Sequence, residues 1–166
     1  MSEHPLHRKT KTTFALVVTS DTRTEKEDET GATERNLIEN EGHKIVEHSI
    51  ISNDETKISA EIKRLIKSKS TQVIIISGGT GIGPKDKTVK AVTPLFEKEM
   101  PGFGELFRRL SYEEIGGAAI MSRATAGVAN NKLIFCLPGS KSAVRLALSE
   151  IILPNVGHMQ WELGRK

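Results

Sequence analysis

At 166 residues, with 37% apolar and 27% charged side chains, the chain has the size and composition of one ordinary globular domain with a sizeable core. Its net charge of +3 is small, its 24 basic and 21 acidic residues are interspersed and aromatics make up 4%, a balance that argues against nucleic acid as a partner. The single cysteine excludes an intramolecular disulfide and fits a reducing cytoplasm, and no apolar run has signal-peptide or membrane-spanning length, so no membrane is expected.

Residues 1 to about 11, polar and basic, read as a poorly ordered tail, and 12–166 as one domain. "FALVVTS" (Phe14 to Ser20) is an unalternated apolar run, the mark of a strand buried on both faces. The polar "TRTEKEDETG" after it reads as a mobile flap. A helix is predicted from about Thr30 to Asn40, stopped by Gly42. "HKIVEHSII" (His43 to Ile51) is more mixed and suits a strand nearer the sheet edge. "ETKISAEIKRLIKS" sets Ile58, Ile62, Leu65 and Ile66 on one helical face. "QVIIIS" (Gln72 to Ser77) is the second doubly buried strand, and "DKTVKAV" begins a helix. Thr93-Pro94 offers an N-cap with proline at the first helical position, which predicts a break and a fresh helix through Phe96 and Glu99. "GFGELFRRLSYEEIGG" is a further helix, ended by Gly116-Gly117. "KLIFCL" (Lys132 to Leu137) is a third buried strand, in which Cys136 reads as an inert, buried thiol. Ser140 then caps the helix "SKSAVRLALSEII". This alternation defines an α/β domain with a mostly parallel sheet and right-handed crossovers.

The strands share polar carboxyl ends: "TSDTRT", "SNDE", "SGGTG" and "PGSKS". Ligands of open α/β sheets bind at such ends. "SGGTGIGPKD" (Ser77 to Asp86) is the most distinctive. Glycines bring backbone N–H groups close to a ligand, and consecutive N–H groups ahead of a helix form an anion site. The stretch is neither a P-loop nor a dinucleotide fingerprint, because Pro84 occupies the position where the first needs Lys and the second Gly or Ala. A phosphate is the expected ligand. Asp86 and Asp54 each stand just before a helix, where they serve either as N-caps or as holders of Mg²⁺, which takes one or two carboxylates beside phosphate oxygens and water. Asp21 and Arg23 are either ligand contacts or a solvated loop. Lys85 and Lys87 can steer anions. Arg123, among small residues, is a surface ion pair or a ligand to an anionic group.

"SGGTGIGPKDKT", the "SND" step and "PGFGELFRRLSYEEIGGAAIMSRATAGVANNKLIFCLPGS" together resemble the molybdenum cofactor biosynthesis family that includes MoaB, MogA and the gephyrin G domain. The likeness runs from about Thr13 to Pro154 and is closer to MoaB. It implies a three-layer α/β/α domain that binds molybdopterin, a pterin dithiolene bearing a phosphate. It further implies a nucleotidyltransferase that adenylylates molybdopterin with ATP and Mg²⁺ before metal insertion, in molybdenum or tungsten form. The implied partners are a second copy of the chain, in a hexamer ahead of a trimer, and the downstream metal-insertion protein. By residue, the family's glycine loop falls on Gly78, Gly79, Thr80 and Gly81, and its essential carboxylates on Asp86 and Asp54, the implied catalytic and metal positions. Ser52, Asn53, Thr88 and the Pro-Gly-Ser loop of Pro138, Gly139 and Ser140 complete the implied substrate contacts. The family's flap pattern falls on "DETG", Asp28 to Gly31. Lys90 departs from the pattern, standing where MogA-type sequences usually carry Glu. It keeps open the alternative of a non-catalytic molybdopterin-binding or carrier protein, although Asp86 and Thr88 are retained.

Overall fold

The structure, a computed structural model, describes residues 10–165, with the backbone alone at Glu25. The first nine residues of the expected N-terminal tail lie outside the described residues. Four strands run parallel: β1 (Thr13–Thr19), β2 (Lys44–Ile51), β3 (Val73–Ser77) and β6 (Lys132–Leu137). Antiparallel β5 (Thr125–Ala129) and β4 (Lys98–Glu99) extend the sheet, whose order is β2-β1-β3-β6-β5-β4. The mixed run at residues 43–51 is accordingly an edge strand, half-buried along most of its length.

Successive side chains along each buried strand feed opposite cores. Phe14 and Leu16 join Val73, Ile75, Leu133 and Phe135 against α1 (Glu29–Asn40), α4 (Pro101–Ile115) and the C-terminal helical rod. Ala15 and Val17 join Ile74, Ile76, Ile134 and Cys136 against α2 (Glu55–Lys67) and α3 (Thr88–Val92). The result is the three-layer α/β/α arrangement, and it explains why these strands read as unbroken apolar runs: both faces are covered. The α2 stripe inferred from periodicity is the buried one, with Ile58, Ile62 and Leu65 all within it. Cys136 is fully buried, and burial pushes its thiol up to about 12, so it is inert at neutral pH.

Two elements differ from expectation. No fresh helix follows Thr93-Pro94: a single 3₁₀ turn (Thr93–Leu95) gives way to β4. The backbone there is drawn into the sheet, with Glu97 N donating to Val128 O at 2.8 Å and Met100 N to Ala126 O at 2.8 Å. The Phe96 ring covers Gly127, where a Cβ would collide with it. Tertiary pairing thus overrides the local proline signal. The β5–β6 hairpin is the second difference; Asn130 and Asn131, with φ of 48° and 56°, are the turn residues such a hairpin requires. The C-terminal rod begins as α5 (Lys141–Leu146), widens into a π turn (Ala147–Ile152) and continues as α6 (Leu153–Leu163), with Pro154 in its first turn. The wider turn sits where a proline ring would otherwise crowd the preceding helical carbonyls. No described helix is long and apolar enough to cross a membrane.

Candidate functional site

β1 lies between β2 and β3, so the chain leaves β1 toward one edge and returns on its other side as β3. The reversal opens a crevice outside the carboxyl ends of β1 and β3. Thr19 and Ser77 close those strands, and the glycine stretch springs directly from Ser77.

The bonding of this loop is divided. Its carbonyls are tied down: Gly78 O accepts from Thr88 Oγ1 at 2.7 Å and Gly79 O from Thr88 N at 3.0 Å. Thr80 O accepts from Arg123 N at 2.8 Å and Gly81 O from Arg123 Nε at 2.9 Å. The Gly78 N–H is spent on Leu137 O at 2.9 Å. The N–H groups of Gly79, Thr80, Gly81 and Ile82, by contrast, donate to no group among the described residues. Four consecutive donors without acceptors, the first three with their carbonyls held elsewhere, have the form of an anion nest. Glycine is required at its base, since Gly79 has φ +69° and a Cβ there would strike Thr88 Oγ1.

Thr88 is therefore a buried pin beneath the loop, its hydroxyl also 3.4 Å from Thr19 Oγ1. The two aspartates separate. Asp86 does not cap α3, whose N-cap is Lys87. Its Oδ2 instead accepts from Gly83 N at 2.8 Å, and a Cβ on Gly81 would come within 2.7 Å of that oxygen, so the carboxylate is folded against the loop. Asp54 is an exposed N-cap, its Oδ1 accepting from Lys57 N at 2.8 Å. Each keeps its other oxygen without a protein partner. Lys90 pairs with Glu55 at 3.0 Å, one residue from Asp54. Among the described residues no group of three or more His, Cys, Asp or Glu is gathered as a metal cage.

The neighbouring strand ends complete the crevice. Asn53 donates its backbone N–H to Asp21 Oδ1 at 2.9 Å and its side-chain amide to Oδ2 at 3.4 Å, tying β2's end to β1's. Those bonds, with Lys85 and Lys57 adding to them, hold the Asp21 carboxyl below the usual carboxylate range. Asn53 Oδ1 is left buried and unpartnered. Ser52 is half-buried and accepts through its carbonyl from Asp54 N at 2.8 Å. On the other side Gly139 abuts the loop, a Cβ on it falling 3.2 Å from Gly78 Cα. Gly139 O, between Pro138 and Ser140, accepts from Thr30 Oγ1 at 2.8 Å and from Arg23 Nη1 at 3.4 Å. Ser140 caps α5 through Ala143 N at 3.2 Å.

"DETG" is not a flap. Asp28 is buried and caps α1, accepting from Gly31 N at 2.8 Å, with its second oxygen 3.2 Å from His48 Nε2. Three residues gain places that the sequence left open or hid. Arg23 braces Gly139, Arg123 braces the glycine loop, and Glu34 lies wholly buried on α1 with neither oxygen hydrogen-bonded. The signal for Glu34 was present: it stands four residues before buried Ile38, on the inward face of its helix.

Fold and site together define an open-sheet α/β domain whose glycine loop presents unbonded N–H groups at the carboxyl ends of its strands. The chain belongs to the family described as "Probable molybdopterin binding domain", whose model matches residues 15–158. It is 45% identical over 161 residues to molybdenum cofactor biosynthesis protein B of Halalkalibacterium halodurans, covering 95% of either chain. A crystal structure of a molybdenum cofactor biosynthesis protein B superposes with TM-score 0.93 at 40% identity, over 96% of this chain and 99% of the other. The tungsten cofactor synthesizing protein MoaB from Pyrococcus furiosus follows with TM-score 0.85 at 34% identity, over 93% of this chain and 98% of its own.

Proposed function

We propose that this chain serves molybdenum cofactor biosynthesis as a molybdopterin adenylyltransferase. The observation that carries the reading is the divided loop: carbonyls of Gly78 to Gly81 pinned by Thr88 and Arg123, N–H groups of Gly79 to Ile82 unspent, and the Asp86 carboxylate folded beside them. Those donors suit a phosphate of molybdopterin or of ATP. The molybdopterin phosphate oxygen bonds to the α-phosphorus of ATP as the bond to the β-phosphate oxygen breaks, and pyrophosphate leaves. Such a transfer asks the protein for positioning and charge stabilisation and needs no covalent nucleophile.

The donor chemistry fits Mg²⁺. Asp86 and Asp54 each offer one unpartnered carboxylate oxygen, the hard donor of which this ion takes one or two, with phosphate and water supplying the rest. When bound, the ion would offset charge on the departing pyrophosphate. The pairing of Lys90 with Glu55 supports activity over a carrier role, since the cation is matched outside the loop rather than set against Asp86.

Incubation with molybdopterin, ATP and Mg²⁺ yields adenylylated molybdopterin and pyrophosphate on this reading. Molybdopterin binding without either product would establish the carrier instead. Self-association is part of the proposal. Leu106, Tyr112, Ile115, Ile120 and Met121 stay exposed along α4 and the turn after it, while Phe103 and Phe107 are core. This apolar surface suits a second copy, and sedimentation at micromolar concentration tests it, a monomer counting against it.

A further inference from the structure

Below the glycine loop lies a polar cluster that phosphate binding does not use. Val73 and Ile75 face the core shared with α1, so Ser77, two residues on, faces it too. Glu34 enters that core from α1. Both Glu34 oxygens and Ser77 Oγ are buried without a completed hydrogen bond, one orphaned polar atom on the residue from which the loop springs and two on the helix packed against it. Orphans of this kind are rare in folded proteins, and their concentration beneath a binding loop calls for a role.

We propose that Glu34 is a positioning residue for the phosphate loop: carrying its proton, it keeps the ground under Gly78 to Gly81 uncharged, and on losing it, it weakens the loop's hold on a phosphate dianion through Ser77. The proposal rests on the reading of the loop as a phosphate site. Burial is the dominant influence on Glu34 and pushes it up to about 8; the Ser77 hydroxyl pulls the other way and the Asp28 carboxylate adds to the rise. The other charged groups of the surrounding elements are engaged or remote. His48 on β2 meets Asp28, and Arg35 on α1 turns to His48. On α5, Lys141 pairs with Glu29 and Arg145 is exposed, as is Glu150 in the π turn. β1 and β3 carry no titratable side chain. An unpaired charge released in so dry a place acts on a bound anion with little screening.

Sulfate, a dianion throughout the range, is titrated calorimetrically into the full chain and into Glu34→Gln between about pH 6.5 and 9.5. The wild-type affinity falls about tenfold as pH rises through 8, a typical coupling between two sites, and that of the variant stays level. Identical pH profiles for the two proteins would overturn the role of Glu34 while leaving the phosphate site standing. Sulfate that binds at no pH removes the phosphate reading, and the proposal with it. Infrared spectra of the wild type give a check that needs no variant: a neutral-carboxyl band persists at pH 7 and disappears through pH 8. Its absence at pH 7 refutes the proposal whatever sulfate does.

Discussion

On one face of the sheet Thr19 and Thr88 meet beneath the glycine loop; on the other face Glu34 and Ser77 do. In the first pair every hydroxyl has a partner: Thr88 donates to Gly78 O at 2.7 Å, and Thr19 reaches Ser77 O at 3.4 Å. In the second pair, three buried polar atoms have none. The loop therefore rests on a rigid, neutral support on one side and on a titratable one on the other. Satisfied hydroxyls fix a backbone shape at little cost, whereas a buried carboxyl without partners holds its proton and answers to pH.

The sharpest way to break this picture is at the loop that both faces carry. Asp86→Asn can still accept from Gly83 N, so it folds with unchanged melting temperature, while turnover drops about a hundredfold or more. Turnover near that of the wild type would take Asp86 out of the chemistry. Next comes Glu34→Gln, read by denaturant unfolding across pH. The folded protein holds the Glu34 proton up to about 8, against an ordinary value of 4.5, so it binds more protons than the unfolded chain in between. Its contribution to stability is complete below the ordinary value and is lost as pH climbs through 8, at up to about 1.4 kcal/mol per pH unit. The glutamine variant does not titrate there and gains on the wild type over that window; parallel curves would show that Glu34 is not buried as described. Thr88→Val probes the opposite face. It leaves Gly78 O without its donor and lowers stability by about 1–2 kcal/mol, equally at pH 5 and pH 9. Lys90→Glu has the smallest effect. Lys90 is exposed and Glu55 partly so, so replacing their pair by two like charges lowers stability by about 1 kcal/mol or less and changes steady-state turnover by less than about threefold.

Much of this is legible in the amino-acid sequence itself. Unbroken apolar runs located β1, β3 and β6 because both faces of the sheet are covered, and the helical stripe of Ile58, Ile62 and Leu65 located α2. The glycine loop, its neighbouring strand ends and Pro84 excluded two familiar phosphate motifs and still pointed to an anion. What the sequence does not show depends on contacts between distant segments. β4 exists because Glu97 and Met100 bond to β5, against the local signal of Thr93-Pro94. Asp86 and Asp54 look alike in sequence, yet one caps a helix and the other folds onto the loop. Thr88 reads as a ligand contact by motif but lies under the loop, and Glu34 hides in a helix whose outward residues are also charged.

The central claim is that unspent backbone donors of the glycine loop receive a phosphate. The most direct test is amide NMR of the full chain titrated with adenosine monophosphate near neutral pH. The account predicts saturable shifts concentrated at the N–H groups of Gly79, Thr80, Gly81 and Ile82, with Gly78, already bonded to Leu137 O, moving less. Saturable binding that leaves those four amides in place while others move would contradict it.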